Sequence, residues 1–196
     1  LQHRDAEGRL TTVTVVAGAL PGADAPLSPP PESWASQPEA DVAIWTLHLE
    51  PGARWTLPAA TGQGTRRMLY YFVGDGLAVG PQAIRGHAAL EVVASQHWEL
   101  VNTGTTAVEC LLLQGRPIGE PVAQYGPFVM NTQQEIMQAM QDYRRTQFGG
   151  WPWAESDPVH GPEAPRFARY PGQQQDEAHS HVTAPAMGCI APCDHG

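Results

Sequence analysis

The sequence predicts an all-β domain of the sandwich or jelly-roll barrel type, followed by one C-terminal α-helix and a Pro-rich tail. Three observations carry this reading. Short runs rich in β-branched and aromatic residues recur between Asp41 and Gln114, each closed by a turn bearing Gly or Pro. Within "AIWTLHL", Ala43–Leu49, Ile44, Thr46 and His48 fall on one face and Trp45, Leu47 and Leu49 on the other, the period of a half-buried antiparallel strand. One segment alone, "NTQQEIMQAMQDYRRTQFGG", has the period of a helix.

Taken in order, Thr11–Ala17 ("TTVTVVA") is a β-branched strand. Gly18–Pro38 is too rich in proline for a helix or a central strand and reads as a lead-in loop. Strands are then expected at Val42–Leu49, Trp55–Leu57, Arg67–Val73, Leu77–Val79, Ala89–Val93, His97–Asn102 and Val108–Gln114. The breaks between them include Pro51-Gly52, Gly62–Gly64, Gly74–Gly76 and Gly80-Pro81. In the helix, Thr132 and Glu135 form a capping box, and Ile136, Met140 and Tyr143, with Met137 and Ala139 beside them, form an apolar stripe read as core packing. Arg144 and Arg145 complement the dipole and Gly149-Gly150 stop the helix. The expected organisation is a lead-in over 1–38, a barrel over 39–153 with its helix at about 132–147, and a Pro-rich tail over 154–196 with little reason to fold.

Composition excludes several classes. With 42% apolar residues the 196-residue chain can bury one substantial core, and a net charge of −9 without a basic stripe is wrong for direct nucleic-acid binding. All 11 basic residues are arginine. No apolar run is long enough to cross a bilayer, and the opening residues are not expected to act as a signal peptide. Three cysteines, Cys110 within an expected strand, make no disulfide framework, so a reducing, cytoplasmic setting is expected. The chain opens on leucine rather than methionine and is read as a fragment or a trimmed chain.

The hairpin and turn spacing from Gly52 to Gly76 resembles a cupin. Cupins carry Gly-x5-His-x-His-x3,4-Glu-x6-Gly and then Gly-x5-Pro-x-Gly-x2-His-x3-Asn, because imidazoles and one carboxylate hold iron, copper or manganese with positions left open. Counted from Gly52, the two histidine positions hold Pro58 and Ala60. Counted back from Gly74 and Asn102, the glutamate and last histidine positions hold Arg67 and Trp98. A guanidinium repels a divalent cation, and the indole has no in-plane lone pair. His97, one residue away, belongs to the opposite strand face, and His48 and His87 read as structural or solvated. The expectation is that this barrel binds no catalytic metal, with Arg67 and Trp98 pointing into it or rimming it.

Leu111–Trp153, with "GPFVMNT" leading into the helix and "FGGWPW" after it, closely resembles the C-terminal end of pirin-family proteins, and the upstream "VTVVAG" and "LEPGARWTLP" fit the same barrel. The resemblance covers about residues 11–170. It implies the C-terminal half of a bicupin whose iron sits in the N-terminal barrel, held by histidines and a glutamate. Some members are quercetin dioxygenases, and a mammalian member is an iron-dependent transcriptional co-regulator. The C-terminal barrel of the family generally lacks the ligands. The N-terminal barrel has no counterpart among these residues, so no catalytic, cofactor-binding or metal-binding residue is carried over, and iron is expected only in that other barrel.

The implied role is therefore a metal-free supporting half, partnered by the N-terminal cupin domain of the same protein or by a second copy of itself. The alternative is a free-standing, non-enzymatic module that binds a small ligand or a protein. The tail opens a third reading: His179, His181, Cys189, Cys193 and His195 are dense enough to hold zinc, although the His-x-His precedes the cysteines and nothing apolar would order the loop.

Overall fold

The computed structural model describes residues 1–156, together with the backbone of a short ladder pairing Phe167–Ala168 with Asp176–Glu177. In chain order the strands are β1 (Gln2–Arg4), β2 (Leu10–Ala17), β3 (Ala43–Leu49), β4 (Arg54–Leu57), β5 (Arg66–Val73) and β6 (Leu77–Val79). They continue with β7 (Gln82–Ile84), β8 (Ala88–Glu91), β9 (Trp98–Asn102), β10 (Val108–Gly115), β11 (Ala123–Tyr125) and β12 (Phe128–Met130), and the helix is α1 (Gln133–Thr146). The chain divides into two compact units, Leu1–Glu120 and Pro121–Gly196.

In the first unit the chain steps back and forth between two antiparallel sheets, one ordered β1-β2-β3-β10-β5-β8 and the other β4-β9-β6-β7. Strands β3, β4, β5, β6, β9 and β10 bury alternate residues. Val13, Trp45, Leu47, Leu69, Tyr71, Cys110 and Leu112 come from the larger sheet, and Trp55, Leu57, Leu77, Val79 and Leu100 from the smaller; all join one apolar core. This is the expected cupin jelly roll, formed as two facing sheets that share no continuous ladder rather than as a closed barrel.

Several details depart from the sequence reading. The strands β1 and β7 are three residues each, too short to show a period, and Gly80-Pro81 is the two-residue turn of the β6–β7 hairpin, with Val79 opposite Gln82. Strand β8 stops at Glu91 instead of reaching Val93, although the Val92 amide still donates to the carbonyl of Arg67, its neighbour in register on β5, at 3.1 Å. Strand β9 starts at Trp98, leaving His97 outside it. The Pro-rich lead-in contains two single 3₁₀ turns, Trp34–Ser36 and Pro38–Ala40, tied down by the Trp34 indole donating to the Arg116 carbonyl at 3.1 Å.

The second unit contains the β11–β12 hairpin and α1. The capping box is present: the Glu135 amide donates to Thr132 Oγ1 at 3.2 Å, and the Thr132 amide to Glu135 Oε2 at 2.8 Å. The helix ends at Thr146, before the glycine pair, because Gln147 adopts a left-handed conformation (φ 49°) and its amide closes on the Tyr143 carbonyl. The apolar stripe is narrower than its period suggested. Ile136 and Ala139 are buried, whereas Met137 and Tyr143 are exposed, Tyr143 joining Phe128 and Phe148 in an edge-to-face ring cluster. No helix among the described residues is long and apolar enough to cross a membrane.

The turn at Asp75 shows how the two sheets are tied at one end. Its carboxylate accepts from the amides of Thr105 and Thr106 at 2.9 and 3.0 Å, and from their hydroxyls at 2.7 and 2.9 Å. A Cβ added at Gly104 would lie 2.0 Å from the same carboxylate, so only glycine fits there. These donors, the Thr105 hydroxyl first, hold the Asp75 carboxyl well below the usual carboxylate range. A depressed folded-state pKa contributes stability above the unfolded value of about 4 and loses it as pH falls toward the folded one. Asp75→Asn is therefore expected to lower the melting temperature at neutral pH. The gap from the wild type should close progressively in thermal melts taken below about pH 4.

Candidate functional site

The mouth of the sandwich opposite that turn is where the cupin motif positions converge. Arg67 is the second residue of β5, on the same inward face as Leu69 and Tyr71, and is 1% exposed. Its Nη1 donates to the Pro58 carbonyl at 2.7 Å, and its Nε donates to Gln114 Oε1 at 2.8 Å, with Nη2 bound to the same oxygen. Gln114 stands directly opposite Arg67 on β10 and is itself held by Nε2 donating to the Asp41 carbonyl at 3.0 Å. The amide of Ala60 donates to the Ala94 carbonyl at 2.7 Å. Trp98, half-buried against the core, donates its indole N–H to the Val93 carbonyl at 2.9 Å.

The structure thus turns both Arg67 and Trp98 inward, as the spacing predicts, and joins the Arg67 position to the Pro58 position by a hydrogen bond. The side chains of Pro58, Ala60, Arg67 and Trp98 offer no metal-ligating atom, so they do not fit iron or another divalent cation. His48, His87 and His97 are all exposed; His87 stands edge-on to the Tyr71 ring at 5.5 Å. Among the described residues, no group of three or more His, Cys, Asp or Glu side chains is placed to hold a metal ion. The tail residues His179, His181, Cys189, Cys193 and His195 lie outside the described residues.

The electrostatics of this mouth are unusual for a core. Burial pushes the Arg67 guanidinium below its ordinary value, and Asp41 opposes that shift from a distance. No carboxylate among the described residues lies within ion-pair reach of Arg67. Asp41 instead spends its carboxylate on the loop above, accepting from the Gly62 amide at 3.0 Å and the Thr65 hydroxyl at 2.6 Å. Cys110 is inert by comparison: burial pushes its thiol up to about 12, leaving it protonated at neutral pH.

Gln114 and Asp41 were missed by the sequence reading. The signal for Gln114 was the strand period itself, since the inward series Val108, Cys110, Leu112 ends on an amide. A polar residue at an inward position needs a polar partner, and Arg67 is the one opposite. Asp41 reaches Gly62 and Thr65 from just before β3, with β3 and β4 between them in sequence, and left no local trace.

Beside Arg67 a cleft of about 770 Å³ opens between the Ala60–Thr65 loop and the Glu91–Ser95 segment. Val92 and Ala94 are buried there, and Val93 is 52% exposed.

Comparison with known proteins places this architecture. The family described as the Pirin C-terminal cupin domain matches residues 44–149. A pirin-like protein of Solanum lycopersicum is 31% identical over 153 residues, covering 74% of this chain and 47% of that protein. Human pirin is 34% identical over 105 residues, 52% of this chain and 35% of the human protein. A crystal structure of quercetin 2,3-dioxygenase from Acinetobacter baumannii superposes with a TM-score of 0.57 at 26% identity, covering 75% of this chain and 46% of that one. The chain spans about half the length, or less, of the relatives it matches. With the family's domain extending over more than half of its residues, the chain belongs to the pirin family, as a C-terminal cupin domain.

Proposed function

We propose that this chain is the metal-free, supporting cupin half of a quercetin 2,3-dioxygenase-type oxidoreductase. On this reading the iron and the chemistry reside in a second, N-terminal cupin domain that this half braces and covers. The observation that carries the proposal is the Arg67 clamp: a donor-only guanidinium, hydrogen-bonded to Pro58 and Gln114, stands where a cupin would place its ligands. The relatives' length leaves room for the other half.

The outer face of the larger sheet supports the covering role. Ile44, Met68 and Leu111 are only half-buried on it, and Tyr70, Phe72 and Leu113 are exposed, so neighbouring strands present a shared apolar surface. Such a face suits a partner barrel, or a second copy of the chain when that barrel is missing. A reducing, cytoplasmic setting belongs to the same reading, given the free thiol of Cys110 in the core.

The test is sedimentation of the isolated chain with a quercetin oxidation assay in the presence of ferrous iron. Self-association is expected, abolished by the double substitution Phe72→Asp and Leu113→Asp, together with no oxidation. Turnover by this chain alone would overturn the proposal, and a monomer unaffected by the substitutions would favour a free-standing binding module.

A further inference from the structure

Arg67 raises a question that the supporting role does not answer. A guanidinium that is 1% exposed carries a full charge out of water, and a buried charge is normally paired with one of opposite sign. Here its partners are one carbonyl and one amide oxygen, both neutral. Three of its five N–H donors are accounted for by these bonds. The nearest influential carboxylate, Asp41, is already committed to Gly62 and Thr65. The site has donors and charge to spare and lacks an anion.

The surroundings indicate which kind of anion. The cleft beside Arg67 has an apolar side presented by the exposed Val93, with the buried Val92 and Ala94 flanking it, and a polar lip formed by the Ala60–Thr65 loop. Asp41 pins that lip at Gly62 and Thr65. Between the pins, Gly64 (φ +73°) has no atom within 4 Å of where a side chain would begin. Gln63 and Gly64 are both exposed, so a ligand that reaches the buried guanidinium would do so by displacing this tip.

We infer that this cleft binds a small organic acid, its carboxylate meeting the two remaining N–H groups of Arg67, one on Nη1 and one on Nη2, and its apolar body lying against Val93. The planar guanidinium matches a carboxylate with two parallel hydrogen bonds, which is the pairing that a point charge cannot offer. The site is complete within this chain, so it stands or falls independently of the covering role.

Benzoate is the probe, titrated into the full chain while the Nε–H signal of Arg67 is followed by NMR, with acetate and inorganic phosphate as comparisons. Saturable movement of that signal is expected with benzoate, and binding of acetate should be about tenfold weaker because it lacks an apolar body. Arg67→Met should abolish the binding, monitored by calorimetry. Val93→Asp, at an exposed wall position where folding is not at stake, should weaken it about tenfold by placing a like charge beside the carboxylate. No saturable response to benzoate overturns the inference, as does an affinity unchanged by Val93→Asp. Phosphate binding as tightly as benzoate would overturn the assignment of an organic acid.

Discussion

Asn102→Leu is expected to lower the unfolding free energy by about 3 kcal/mol, read as a shift in the denaturation midpoint at unchanged slope. Asn102 is 1% exposed at the end of β9, and its side chain joins three segments. Nδ2 donates to the Leu49 carbonyl at 3.0 Å and the Thr106 carbonyl at 2.8 Å, while Oδ1 accepts from the Gly104 amide at 2.9 Å. Leucine keeps the branched shape with bulkier ends, so the loss combines the three bonds, the polar groups left unpaired and some overpacking. Asn102→Asp is expected to cost more, about 4 kcal/mol, since a second acceptor would then face two carbonyls and any charge would be buried. An aspartate milder than leucine would mean that Asn102 does not donate to the Leu49 and Thr106 carbonyls.

The second large effect is at Arg67, where two substitutions should separate. Arg67→Ala is expected to destabilise by about 4 kcal/mol, because it opens a cavity at the mouth and strips the Pro58 carbonyl and Gln114 of their donor. Arg67→Met fills most of that volume and also removes a desolvated charge without a carboxylate partner, so its cost should be only about 1–2 kcal/mol. Equal losses from the two variants, in chemical denaturation, would mean that cavity formation is not a major part of the alanine loss. A larger loss in the methionine variant would contradict the account of the charge.

The sequence made much of this site visible because strands are periodic. The same alternation that buries Trp45 and Leu47 also turns Arg67 and Trp98 inward, so counting along the cupin spacing located both correctly. The capping box at Thr132 and Glu135 was legible for a similar reason, since both partners lie within one turn. What stayed hidden depends on partners distant in sequence. Gln114 meets Arg67 across 47 positions, and Asp41 holds the loop at Gly62 from 21 positions away. The three-residue strands β1 and β7 owe their existence to a neighbour's ladder, and no local pattern announces them. The helix stripe was overread because period alone cannot distinguish a face that meets a core from one that meets other rings, as Tyr143 does.

The Arg67 clamp has a consequence for how the mouth of this sandwich is supplied with its charge. A cupin organised around a metal must collect its central cation from the surroundings, and that cation can change oxidation state, be stripped by a chelator or be exchanged for a competitor. A guanidinium has no redox couple, and it stays protonated across physiological pH. It also arrives with the polypeptide, already counted in the stoichiometry of the chain. The hydrogen bonds that join Pro58, Arg67 and Gln114 are consequently made by the chain's own atoms, and none of them calls on an iron ion.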